Sequence, residues 1–142
     1  MIKSVLEFHQ KFDLPDGTVD KLSNDKHAQA FRLGFLQEEL DELHEALEQG
    51  DRVKAFDALL DLAYVTYGTA LFMGVDPWQW HEGMAAVQKA NMSKERAVSK
   101  DQSKRGSTFD VIKPEGWTGP EQRLKEVLSW DVNAPSQGDL DL

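Results

Sequence analysis

Between Asp51 and Met73 the chain carries apolar side chains around nearly the whole circumference of a helix, when residues are set about 100° apart. A helix of that kind belongs in the middle of an assembly of helices. Yet Asp57 and Asp61 stand four residues apart on one face of it, in a column that continues into Tyr64 and Gly68. Burying an ionised carboxylate costs several kcal/mol unless it is paired or holds a metal ion, and only Arg52 and Lys54, at the start of the helix, offer a positive charge nearby. A bound divalent cation is the economical solution. Oxygen-only ligands in a chain without cysteine favour Mg²⁺, with Mn²⁺ as a substitute, over zinc.

The surrounding pattern predicts an all-α chain. A first helix is expected from about Ile2 to Phe12, with Val5, Phe8 and Phe12 at helical spacing, stopped by Leu14-Pro15-Asp16-Gly17. A second, from about Asp25 to Gln49, shows a buried-type stripe of Leu33, Leu36, Leu40, Leu43 and Leu47, closed by Gly50. Gly74 ends the third helix. Asp76-Pro77 is an N-cap followed by proline at the first helical position, opening a fourth helix to about Asn91 with Trp80, Met84 and Val87 inward. From Ser93 to Thr118 the periodicity fails and the spacing predicts a long polar connection without strands. Thr118-Gly119-Pro120-Glu121 then reads as a capping box for a short helix to about Leu128, before a frayed acidic tail. Residues 1–118 form one expected domain, with a basic loop at 93–118, and 119–142 the short helix and flexible tail.

The second helix also carries Glu38, Glu39, Asp41, Glu42 and Glu45. Glu38, Glu42 and Glu45 lie opposite the leucine stripe and in line with Phe31 and Phe35, with Glu39 on the flank between. The helix is therefore expected to be covered on two sides, and the acids to line an enclosed cleft. Carboxylates converging from two helices can hold Mg²⁺, which neutralises a polyphosphate, while a free carboxylate takes a proton from an attacking water. Phosphoanhydride cleavage fits that requirement. Asp41-x-x-His44 is half of a di-iron motif, but no second copy occurs among the histidines.

At this point the residues resemble the all-α nucleoside triphosphate pyrophosphohydrolases, the MazG-like and phosphoribosyl-ATP pyrophosphohydrolase-like proteins. The likeness rests on Glu38-Glu39-x-x-Glu42 and on Asp57 to Tyr64 ending in Asp61-Leu62-x-Tyr64. It extends to Glu7-Phe8-His9, Phe12 to Pro15, Tyr67 to Ala70, Gly74-Val75-Asp76, Asn91 to Lys94 and Glu115-Gly116-Trp117. It implies a four-helix MazG-like bundle with an irregular C-terminal extension, assembled as a homodimer or homotetramer. It also implies Mg²⁺-dependent cleavage between the α- and β-phosphates of a ribo- or deoxyribonucleoside triphosphate. By position, Glu39, Glu42 and Asp61 would bind metal, and Glu38 would orient or deprotonate water. The family pattern has an acid where this chain has Ala58, so Asp57, one residue earlier, stands in as the further ligand. Asn91 and Lys94 match substrate-side residues.

Six of the sixteen positive charges, Lys94, Arg96, Lys100, Lys104, Arg105 and Lys113, fall within twenty residues, a segment able to fold over a triphosphate. Lys104 and Arg105 are accordingly candidate substrate contacts, and Phe8 and His9 candidate walls of a base pocket. A net charge of −9 disfavours polymeric nucleic acid and anionic membranes. The longest uncharged run, Leu62 to Val75, has 14 residues against the roughly 20 that a bilayer span needs. A cytoplasmic setting is expected. Trp78, Trp80, Leu71 and Phe72 are expected to leave apolar surface for a second copy. Two other functions fit the sequence: phosphoribosyl-ATP hydrolysis, and a non-enzymatic acidic helical module.

Overall fold

The computed structural model describes residues 1–130, so the expected acidic tail lies outside the described residues. Five helices make up most of what is described: α1 (Ile2–Lys11), α2 (Lys26–Glu48), α3 (Arg52–Phe72), α4 (Pro77–Met92) and α5 (Glu121–Leu128). The chain is all-α in class, and no described helix is long and apolar enough to cross a membrane. The described chain divides into two compact units, 1–80 and 81–130.

In the first unit the helix limits follow from local chemistry. Asp25 caps α2 by accepting from the Ala28 N–H at 3.0 Å, and Asp51 caps α3 by accepting from Val53 and Lys54. Gly50 has φ +65°, and the Asp51 N–H returns to the Ala46 carbonyl, so the stop of α2 and the start of α3 share three residues. Gly74, at φ +73°, closes α3 in the same way, with a Val75 N–H to Ala70 carbonyl bond. A Cβ on Gly74 would lie 2.7 Å from the Asp20 backbone nitrogen, so the loop before α2 can approach only a glycine there. Asp76 Oδ1 accepts from Trp78 and Gln79, the N-cap read from Asp76-Pro77.

The short link makes α2 and α3 antiparallel neighbours: Arg32 reaches Val65 and Thr69, while Glu42 shares a cleft with Asp57. Small residues at the contact, Ala28 and Ala46 on α2, Ala55 and Ala58 on α3, are buried there. Only part of the leucine stripe therefore faces α3: Leu36 and Leu43 are half-buried in the column of Arg32, Glu39 and Ala46. Leu33, Leu40 and Leu47 lie about a quarter turn round the helix and are exposed, Leu33 by 66% and Leu47 by 64%, which corrects their expected burial. Nor is α3 enclosed on all sides: Val53, Phe56, Leu59 and Leu60 are exposed in its first half, and burial becomes general only from Val65 onward. Leu71 and Phe72, expected at the surface, are buried. On α1 the inward face is Ile2, Val5 and His9, while Phe8 and Phe12 are exposed.

The second unit continues α4 and adds what the periodicity missed. Glu95–Arg96 pairs antiparallel with Val111–Ile112, followed in between by a 3₁₀ turn at Lys100–Gln102. Strands of two residues are too short to show a period of two, so the expected strandless connection is corrected. Asp110 organises this segment, accepting from Ser103 Oγ at 2.7 Å, from the Val111 N–H at 2.9 Å and from Arg105 Nη1 at 2.8 Å. Helix α5 forms where expected, but Thr118 does not cap it; the N-cap is Pro120, with no side-chain bond. Met84, expected inward on α4, is exposed.

Candidate functional site

The carboxylates of α2 and α3 meet in the first unit, with burial distributed otherwise than the sequence suggested. Asp57 and Asp61 are exposed, because the half of α3 that carries them has a helix against it on one side only. Glu38 and Glu42 are exposed as well, so the expected enclosed cleft is an open one. The buried acid is Glu39, 8% exposed, at the centre of the α2 face that packs on α3. Its Oε2 is buried without a hydrogen-bond partner. Burial pushes the Glu39 carboxyl above its ordinary range, and the negative charges of Asp61, Glu42, Glu38 and Asp57 push it further. Among the described residues none of these five acids forms an ion pair.

Five mutually repelling carboxylates with an orphaned buried oxygen are oxygen donors of the kind a hard divalent cation takes. Among the described residues no three are gathered closely enough to enclose an ion as they stand. Beside them a cleft of about 370 Å³ is lined by Glu42, Glu45, Ala46, Gln49, Lys54 and Asp57. Lys54 is the one cation in that lining.

Two turns toward the start of α2 lies a buried charge that sequence reasoning passed over. Arg32 donates to the Val65 carbonyl at 2.7 Å and to Thr69 Oγ1 at 3.1 Å, and its guanidinium sits 4.9 Å from the Phe72 ring, 5.5 Å from Phe35 and 5.7 Å from Phe31. His9, placed by sequence in a base pocket, is instead core, buried beside Arg32 and edge-on to Phe72. The Pro15 carbonyl can only accept, so His9 Nδ1 carries the proton in that bond. Burial lowers the His9 pKa, and the Arg32 charge lowers it further against the pull of Pro15 and Asp16. Gly68 is needed here, since its Cβ would fall 2.9 Å from both Arg32 Nη2 and His9 Nε2. Phe8 remains outside, edge-on to Tyr64 at 5.8 Å and against Phe12 at 4.7 Å.

The remaining candidates lie in the second unit. Lys94 Nζ donates to Asn91 Oδ1 at 2.8 Å, so this predicted pair is brought together. Both Lys94 and Lys113 stand over the Trp117 ring, whose Nε1–H donates to the Ala90 carbonyl. Lys104 is exposed, and Arg105 is engaged by Asp110. His44, also exposed, faces Glu48.

An all-α chain with an acidic two-helix site is what a helical phosphoanhydride hydrolase requires. The phosphoribosyl-ATP pyrophosphohydrolase family matches residues 5–91, and the chain belongs to that family. The match takes in most of α1, all of α2 and α3, most of α4 and all five carboxylates. The family is one of pyrophosphohydrolases, hydrolases of phosphoric anhydrides. No curated protein matches the chain.

Proposed function

We propose that the protein is a Mg²⁺-dependent nucleoside triphosphate pyrophosphohydrolase, releasing a nucleoside monophosphate and pyrophosphate, with Mn²⁺ able to replace Mg²⁺. The observation that carries this reading is the buried, unpartnered Glu39 Oε2 among four further carboxylates. Glu39, Glu42, Asp57 and Asp61 would hold the metal. The cation supplies neutralisation of the polyphosphate charge. Glu38, exposed on the same flank, takes the proton from the water that attacks, and the bond between the α- and β-phosphates breaks. Asn91 and Lys94, in contact with each other, stand at the positions that the resemblance assigns to the substrate side.

Phosphoribosyl-ATP, which shares the triphosphate, is a second substrate that the family match favours as much. Turnover of the eight common nucleoside triphosphates and of phosphoribosyl-ATP, with Mg²⁺, with Mn²⁺ and with EDTA, tests both. Metal-dependent release of monophosphate and pyrophosphate from a nucleoside triphosphate is expected. Cleavage of phosphoribosyl-ATP alone replaces this reading with the second one, and no metal-dependent cleavage of any overturns both.

The same reading includes a homo-oligomer, dimer or tetramer. The exposed leucines Leu33, Leu40 and Leu47 recur every seven residues on the flank of α2 away from Glu38 and Glu42, the spacing of a helix-pairing seam. Leu40→Glu is expected to lower the mass in sedimentation; an unchanged mass removes the seam from the interface.

A further inference from the structure

On the flank of α2 that carries Glu38, a shallow groove of about 410 Å³ is lined by Ala30, Phe31, Gly34, Phe35 and Glu38. Two of its features are unexplained by folding. Phe31 is 54% exposed, although one edge of its ring reaches Phe72 of α3 at 6.5 Å and Arg32 lies behind it. Gly34 stands inside α2, where glycine is the least favourable residue after proline, and beyond its own stretch of helix backbone nothing lies within 4 Å of the place its Cβ would take. Neither a tight approach nor a left-handed φ asks for glycine here. What its missing side chain does is leave the groove open beside two aromatic rings.

Those rings are held firmly. Phe31 and Phe35 stand 6.1 Å apart, and Arg32 fixes both from behind through its guanidinium. Glu38, one turn further on, borders the groove and adds its charge to the carboxylate group around Glu39. Beyond those acids the surface turns polar, in the cleft of Glu42, Gln49, Lys54 and Asp57. Along one flank of α2 the order is therefore flat and apolar, then acidic, then polar.

We infer that the groove takes the heterocyclic base of the nucleotide whose phosphates the carboxylates handle, with Phe31 and Phe35 as stacking surfaces and Gly34 as the residue that admits it. The inference rests on the pyrophosphohydrolase reading and sets a direction for the substrate: base toward the start of α2, phosphates toward its end. A flat ring system joined to a polyanion matches that sequence of surfaces. A second copy of the chain on this groove would bring two acidic clusters together, at a cost in charge repulsion.

The test uses the full chain, with two readouts on wild type, Gly34→Leu and Phe31→Ala: Mn²⁺ affinity by electron paramagnetic resonance, and binding of the common nucleoside monophosphates by equilibrium dialysis. Gly34→Leu fills open space on a helix and improves helix propensity, so it folds; Phe31→Ala removes a ring without filling the groove. Nucleotide affinity is expected to fall about tenfold or more in both, the size of a lost stacking contact, while Mn²⁺ affinity stays. Unchanged nucleotide affinity in both variants overturns the inference, as does a wild type that binds no nucleotide. A change of mass in Gly34→Leu at unchanged nucleotide affinity assigns the groove to a second copy and also overturns it. Loss of Mn²⁺ binding from the wild type instead strikes the pyrophosphohydrolase reading, which separates the two failures.

Discussion

The face of α2 that packs on α3 holds two buried charges seven residues apart, about 10 Å along the axis, and the fold treats them differently. At one end, Arg32 is supplied with a carbonyl, a hydroxyl and three aromatic rings. At the other, Glu39 is left with a bare oxygen and four acids around it. Folding by itself accounts for the first arrangement. The second is a cost to folding, and such a cost persists where something outside the chain repays it. Comparing the ends separates structure from function on a single helix.

The sharpest way to break the comparison is to neutralise Glu39. Glu39→Gln is expected to lower kcat/KM by more than about a hundredfold, beyond the loss usual for groups that only support a metal ligand. The same variant, in EDTA, is expected to be as stable as wild type or more so. Mg²⁺ should raise the Tm of wild type and leave that of Glu39→Gln unmoved, since a ligand stabilises only what binds it. A variant that unfolds more readily in EDTA would place Glu39 among the structural residues.

Arg32→Met carries the next largest effect, now on folding. It removes one buried and one half-buried hydrogen bond and the cation at the centre of three rings, and about 2 kcal/mol of unfolding free energy is expected to go, measured by urea titration. An unchanged midpoint would show that the aromatic nest packs as well without the charge.

The smallest effect is in the pH dependence of stability, where the two ends should slope in opposite directions. His9, beside Arg32, is held neutral, its folded pKa below the ordinary 6.5; its contribution is complete above 6.5 and is lost as pH falls through the folded value. Glu39 has a folded pKa above the ordinary carboxylate value; without metal its contribution is complete below that ordinary value and is lost as pH rises through the raised one. His9→Gln should flatten the acid-side loss of stability, and Glu39→Gln the loss toward neutral pH. Denaturation curves in EDTA between about pH 4 and pH 8 check both; like slopes in the two variants would contradict the opposed shifts.

Much of the local structure was legible because it depends on neighbours in sequence. Asp25, Asp51 and Asp76 cap helices, and Gly50 and Gly74 end them, through bonds that span two to five residues. The columns of Glu38 with Glu42 and of Asp57 with Asp61 were legible for the same reason, since each pair is spaced i and i+4 on one of two helices joined by a short link. Their burial was not. Asp57 and Asp61 read as buried because their helix is apolar all round, but one chain supplies too few helices to cover it.

Leu33, Leu40 and Leu47 misled in the same way, while Leu36 and Leu43 are half-buried as the stripe suggested. A period of 3.5 tells which residues share a flank, and small side chains, here Ala28, Ala46, Ala55 and Ala58, decide which flank comes close to a neighbour. Arg32 gave no signal at all, and His9 was marked only as a wall of a base pocket, not as core. Their partners, Thr69, Val65, Phe72 and Pro15, are distant in sequence or set by a loop, and nothing local to Arg32 marks it as different from a solvated arginine.

What the sequence alone determined is therefore the all-α class, the helix limits and the identity of the acids, each fixed by contacts within a helical turn. Only the tertiary structure decided which acid is buried, which charge is satisfied and which apolar stripe stays exposed. Those depend on the angle at which α2 meets α3. That angle is settled by the packing of small residues over the whole length of both helices, and no single stretch of sequence contains it.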